Sequence, residues 1–64
     1  MPSLTTNTPD AKTKAETLRE EGNALHRVRK YREAYAKYTE AIDLDKQNAV
    51  LYANRAACSV ALKE

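Results

Sequence analysis

The sequence has only one cysteine, one glycine and two prolines among its 64 residues, and each shortage excludes something. A lone cysteine, Cys58, cannot form an internal disulfide or a cysteine-based zinc cage, which favours a reducing, cytoplasmic environment. No apolar run approaches the ~18 residues that a membrane span needs, and no signal-peptide pattern opens the chain, so we expect no membrane partner. With 42% apolar and 31% charged residues, the chain is predicted to be small, soluble and helical.

Groups that carry chemistry are just as scarce. His26 is the only histidine, and no cysteine stands near it at the spacing of metal ligands, so we expect no metal and no cofactor. The sequence offers no nucleophile paired with a base and no phosphate-binding loop. We therefore expect that the protein is not an enzyme.

Apolar and small residues recur at steps of three and four, which predicts amphipathic helices. The first segment, about 13–28, carries Ala15, Leu18, Gly22, Leu25 and Val28. The second, about 31–45, carries Tyr31, Ala34, Tyr35, Tyr38, Ala41 and Ile42, and the third, about 49–63, is rich in alanine. We expect all four tyrosines and Cys58 to be buried. We also expect a neighbouring helix close to Gly22, because a glycine inside a helix otherwise costs about 1 kcal/mol.

The start of the first helix is open to two interpretations. Thr8, Pro9 and Asp10 place a cap, a first-turn proline and an acid in order, whereas Thr13 and Glu16 form a capping box. We take the later start. It leaves residues 1–12 as a disordered leader and residues 13–64 as the folded segment.

A repeat of 34 residues is the most informative pattern in the chain, since Ala49 follows Ala15 at that distance. In both copies a large apolar residue stands three positions later and a small one seven positions later. These residues are Leu18 and Gly22 in the first copy and Tyr52 and Ala56 in the second. Helical repeats of this length stack on one another to bury their apolar faces, which predicts an interaction module.

The second copy holds only its first helix. A fourth helix would normally cover the third, so we expect an exposed face around Tyr52, Ala56 and Val60. Such a face predicts a homo-oligomer that associates through the third helix. A truncated repeat that serves as a self-associating structural module is therefore one alternative function.

The spacing within residues 15–64 resembles that of the tetratricopeptide repeat family. The first helix of that family carries a large residue, a glycine and a large residue, which match Leu18, Gly22 and Leu25. The second carries an alanine, an aromatic residue and an alanine, which match Ala34, Tyr38 and Ala41. The resemblance implies an all-α fold: an antiparallel helix pair plus a third helix, or one and a half repeats of a right-handed superhelical array.

Two positions depart from the pattern of the family. Lys46 stands where a proline usually follows the second helix, and Arg29-Lys30 replaces the usual glycine or aspartate between the two helices.

The co-chaperone members of this family are especially similar. They hold the acidic C-terminal tail of heat-shock chaperones in a two-carboxylate clamp, to which the first helices of successive repeats contribute. The matching residues here are Arg19, Asn23 and Asn54, with arginine replacing the usual lysine. A lysine and an arginine that complete the clamp come from a third repeat, which this chain does not contain. The resemblance therefore implies a partial carboxylate clamp in a co-chaperone-like scaffold, with an acidic C-terminal tail as the partner.

Charge supplies the rival hypothesis. The eleven basic and nine acidic residues give a net charge of +2 and are interspersed; Glu33 and Lys37, for example, stand at ion-pair spacing. The exception is the basic turn between Arg27 and Arg32, which also holds Arg29 and Lys30. Such a turn could bind nucleic acid or another anion, but the small net charge disfavours a nucleic-acid partner.

Overall fold

Three α-helices form the part of the chain described by the structure, a computed structural model that covers residues 9–63. Helix α1 spans Pro9–Arg27, α2 spans Tyr31–Leu44 and α3 spans Ala49–Lys63, which confirms the predicted all-α fold of three helices. Helix α2 lies between the other two and contacts both. The beginning of α1 faces the end of α2, and the end of α3 faces the beginning of α2, so successive helices run antiparallel.

Helix α1 starts earlier than the sequence suggested. It begins at Pro9, with Asp10 in its first turn. Proline suits this position because it has no N–H to satisfy, and an aspartate in the first turn interacts favourably with the helix dipole. Residues 9–12, predicted as part of a leader, are therefore helical, and Thr13 and Glu16 lie inside the helix. The rest of the predicted leader, residues 1–8, lies outside the described residues.

Backbone hydrogen bonds shape the turn between α1 and α2. The N–H of Lys30 donates to the carbonyl of Leu25 at 2.9 Å, and the N–H of Arg29 donates to the carbonyl of His26 at 3.0 Å. This pair of bonds is the Schellman motif that ends many helices. Arg29 takes the left-handed conformation, with φ at 67°, where glycine is the usual residue. The absence of glycine therefore costs some strain but does not prevent the turn.

The core is built around α2. The buried apolar residues of the described chain are Ala15, Ala34, Tyr38, Ala41, Ile42, Leu51 and Cys58. Helix α2 contributes four of them, because it packs against α1 on one side and α3 on the other. Leu18 and Leu25 of α1 cover the edge of this cluster.

The ring of Tyr38 lies directly against Gly22. A Cβ atom added to Gly22 would stand 2.7 Å from Cε1 of Tyr38, which is too close for two carbon atoms. This contact confirms the close helix approach predicted at the glycine. Burial of Tyr38, which is 2% exposed, offsets the weaker helix propensity of Gly22.

Two of the four tyrosines predicted in the core lie at the surface instead. For one of them, Tyr52, the exposure agrees with the other prediction, of an uncovered face around Tyr52, Ala56 and Val60. Tyr35 is 37% exposed and Tyr52 is 42% exposed. Their rings flank the guanidinium carbon of Arg55, at 5.4 and 5.7 Å from the ring centroids, within the range of cation–π attraction. The hydroxyl of Tyr52 also donates to the carbonyl of Lys46 at 2.9 Å. A cation and a polar partner thus hold these rings at the surface, where spacing alone had suggested burial.

The ion pair expected within α2 forms between helices instead. Nζ of Lys37 lies 3.0 Å from Oε1 of Glu21 in α1, not beside Glu33. Hydrogen bonding to Glu21, together with its negative charge, raises the pKa of Lys37. Because both side chains are well exposed, the pair aligns α1 with α2 more than it stabilises them.

Candidate functional site

Asn23 and Asn54 come from different helices and line the same shallow pocket. The pocket has a volume of about 290 Å³ and opens to solvent. Its lining residues are Asn23, His26, Arg27, Tyr38, Asn54 and Ala57. Both asparagines are half-buried, so their amide groups have a fixed environment and still meet solvent. The packing of α1 and α3 on α2 thus brings together two of the three residues that the sequence singled out.

The side chain of Asn23 is held by a residue of the core. The hydroxyl of Tyr38 donates a hydrogen bond of 2.5 Å to Oδ1 of Asn23. With its oxygen engaged, the amide of Asn23 keeps its two N–H donors, for which no partner is found within residues 9–63. The pocket therefore presents hydrogen-bond donors from an orientated amide, which suits an anionic or carbonyl-bearing ligand.

Arg19, the third residue, does not line this pocket. It is half-buried and stands one helical turn before Asn23, on the same side of α1. Burial raises the pKa of the Tyr38 phenol, while the positive charges of Arg19 and Arg27 oppose that rise. Both guanidinium groups thus act on the charge state of Tyr38, which lines the pocket.

Arg27 belongs to the pocket although the sequence placed it in the basic turn. It stands one turn after Asn23, so Arg19, Asn23 and Arg27 form a row along α1. The signal was present in the sequence, because Arg27 follows Asn23 by the same four residues that separate Arg19 from Asn23. This spacing went unused in the sequence prediction, because Arg27 also begins a run of basic residues that suggested one continuous basic turn.

The basic run is divided between two surfaces. Arg27 lines the pocket with the asparagines, whereas Arg29, Lys30 and Arg32 surround a separate cleft that also includes Glu33 and Leu62. Three of these four cations thus share a cleft with a carboxylate, and the fourth lines the pocket of the asparagines.

His26 and Cys58, the other residues whose side chains could carry chemistry, both pack against the rest of the protein. The ring of His26 packs edge-on against Tyr31, with 5.0 Å between centroids, and the described residues contain no cluster of three metal-ligating side chains. Cys58 is buried as predicted, and burial raises the pKa of its thiol, which keeps it in the less reactive protonated form. Within residues 9–63, no helix combines the length and hydropathy required to cross a membrane.

Comparison with known proteins gives several similar segments. DnaJ homolog subfamily C member 7 of Homo sapiens is 52% identical over 48 residues, which cover 75% of this chain and 10% of that protein. Small glutamine-rich tetratricopeptide repeat-containing protein 2 of Saccharomyces cerevisiae is 47% identical over 55 residues, or 86% of this chain and 16% of that protein. Hsp70-Hsp90 organizing protein 1 of Glycine max is 50% identical over 44 residues, which cover 69% of this chain and 8% of that protein.

These relatives are much longer than the chain. It spans less than a fifth of each of the three proteins above. No family model matches the sequence, and no solved structure matches it.

Proposed function

We propose that this chain, which belongs to the tetratricopeptide repeat family, is a binding module for a short acidic C-terminal peptide. The pocket that contains Asn23 and Asn54 would hold the terminal carboxylate, and Arg19 would attract it from the rim. One observation carries the proposal: two asparagines from different helices share a pocket, and Tyr38 holds the oxygen of one of them. The module acts by binding and is not an enzyme.

The chemistry of the pocket suits a carboxylate. A carboxylate only accepts hydrogen bonds, and the amide nitrogens of Asn23 and Asn54 only donate them. Guanidinium groups at Arg19 and Arg27 add positive charge on either side, which strengthens hydrogen bonds to an anion. A neutral ligand would gain less from this arrangement, so the free C-terminus of a peptide fits better than an internal segment without acidic side chains.

The names of the relatives suggest which kind of protein has the acidic tail that binds here. The protein of Glycine max is named for organizing Hsp70 and Hsp90. We extend this association to the present chain: its partner is the acidic tail of a heat-shock chaperone, met in the cytoplasm, and its role is that of a co-chaperone-like scaffold.

A peptide titration tests the proposal. The isotope-labelled chain is titrated with the pentapeptide Met-Glu-Glu-Val-Asp, which has an acidic C-terminus, and binding is followed by NMR, which detects weak complexes. We expect saturable shifts of the side-chain amides of Asn23 and Asn54. Asn54→Ala should weaken binding about ten- to hundredfold, as expected for a lost hydrogen bond to a charged group.

Two controls accompany this titration. Gln47→Ala removes an exposed amide from the connection between α2 and α3, away from the pocket, and should leave the affinity unchanged. A peptide with an amidated C-terminus lacks the terminal charge and should bind much more weakly. Equal binding of the free and amidated peptides would refute the carboxylate site.

Self-association through α3 is a second candidate function, supported by the apolar surface of that helix. Two of its large exposed apolar residues, Tyr52 and Val60, stand eight residues apart on one face, with Ala56 between them. In the 34-residue repeat, Tyr52 and Ala56 take the places of Leu18 and Gly22, which pack against α2. The exposed face of α3 thus has the residue pattern of a face that receives a helix, and a second copy of the chain can provide one.

Sedimentation over a range of protein concentrations tests this second candidate. We expect the wild-type chain to associate as the concentration rises. Val60→Glu should restore the monomer, because Val60 is 60% exposed on α3 and a charge there opposes burial. Ala36→Glu adds the same charge to an exposed position of α2 and should leave association intact. A wild-type chain that stays monomeric at every concentration would exclude this function.

A further inference from the structure

We propose that Arg27 recognises a second carboxylate of the bound peptide, on the side chain two residues before its C-terminus. This inference rests on the proposed function, since it assigns the terminal carboxylate to Asn23 and Asn54. It makes Arg27 a specificity-determining residue, which distinguishes peptides that carry an acid at this position from those that do not.

The position of Arg27 within the pocket carries the argument. Arg27 lines the pocket together with both asparagines, whereas Arg19 does not. A peptide whose terminal carboxylate lies between Asn23 and Asn54 therefore meets its next cation at Arg27. The remaining lining residue from α3, Ala57, has only a methyl side chain, which leaves room for the peptide beside the guanidinium group.

Spacing selects which residue of the peptide is recognised. Asn23 and Arg27 are four residues apart on a helix, or about 6 Å along its axis. An extended peptide advances about 3.3 Å per residue, and its alternate side chains point the same way. For a peptide that runs along α1, the side chain two residues before the last is therefore at the distance of Arg27, and the one three residues before the last points the opposite way from it.

The charge on Arg27 is available for this contact. Within residues 9–63 the ion pair found is that of Lys37 with Glu21, so no described carboxylate lies within 4 Å of the Arg27 guanidinium group. The side chain is exposed, yet its charge acts on the buried phenol of Tyr38. An unpaired guanidinium group that faces both the pocket and solvent is suited to a bidentate bond with an incoming carboxylate.

The test combines two protein variants with three peptides. The full chain is titrated by NMR with Met-Glu-Glu-Val-Asp, with Met-Glu-Gln-Val-Asp, which is neutral two residues before the end, and with Met-Gln-Glu-Val-Asp, which is neutral three residues before the end. We expect the wild-type chain to lose about three- to fivefold in affinity for the second peptide and less for the third. Arg27→Gln should bind the first two peptides equally.

Arg32→Gln is the matched control. It removes the same charge from an exposed side chain that lies in the other cleft, and it should keep the preference of the wild-type chain. If Arg27→Gln retains that preference, or weakens all three peptides by one common factor, the inference is wrong while the carboxylate site stands. If amidation of the peptide leaves binding to the wild-type chain unchanged, the carboxylate site fails and the inference fails with it.

Discussion

Tyr38→Ala is expected to unfold the chain at 25 °C. Removing a buried aromatic side chain costs about 3–5 kcal/mol, because it loses burial and leaves a cavity. A chain of this size with a single core has a total free energy of unfolding of only about 3–5 kcal/mol. The ring packs against Gly22, and its hydroxyl is bonded to Asn23, so both contacts disappear together. Far-UV circular dichroism should show the loss of helix, and urea titration should show no folded baseline.

Two other tyrosine variants test the cause of this effect. Tyr38→Phe keeps the ring and loses only the hydroxyl, so it should stay folded and cost about 1 kcal/mol. Tyr52→Ala removes a tyrosine that is 42% exposed and should cost much less than Tyr38→Ala. A Tyr38→Ala chain that unfolds in urea close to the wild-type midpoint would show that this ring is not the centre of the core.

Gly22→Ala is expected to lower the free energy of unfolding by about 1–3 kcal/mol, the cost of overpacking a filled core. Helix propensity alone predicts the opposite, a gain of about 1 kcal/mol. Packing should win, because the added methyl group would stand 2.7 Å from a ring that is buried and held by its hydroxyl. Urea unfolding followed by circular dichroism measures the sign directly.

The sign depends on Tyr38, which provides the control. In a Tyr38→Leu background the ring is absent, so adding Gly22→Ala should be neutral or stabilising. Ala56→Gly reverses the exchange at the equivalent position of α3, which is exposed, and should cost about 1 kcal/mol from propensity alone. A gain in stability from Gly22→Ala in the wild-type background would mean that the ring moves aside easily.

Much of the fold could be predicted because helical spacing is a local property. Apolar steps of three and four predicted all three helices, and the single helical glycine correctly indicated a close contact. Exposure was less predictable. Tyr35 and Tyr52 have core spacing, but Arg55 holds both rings at the surface, and that arrangement depends on how α2 and α3 pack. The start at Pro9 was uncertain because two good start signals lie within eight residues of each other.

The candidate site was harder to derive. Asn23 and Asn54 were singled out through family resemblance, and no spacing rule places side chains of two different helices in one pocket. The bond from Tyr38 to Asn23 was missed because Tyr38 was read only as a core residue, although a buried hydroxyl needs a partner. Arg27 was missed because it and three nearby cations look like one surface in the sequence. In the structure, the other three line a different cleft, beside the start of α2.

The turn that joins α1 to α2 places little demand on the charge of its side chains. Its conformation comes from hydrogen bonds between main-chain groups, and the side chains of Arg29 and Lys30 point to solvent. Replacing Arg29, Lys30 and Arg32 with neutral residues would change the formal net charge from +2 to −1 and leave Arg27 in place. The isoelectric point of this chain is therefore separable from its binding pocket, so its attraction to acidic macromolecules can be adjusted without redesigning the site.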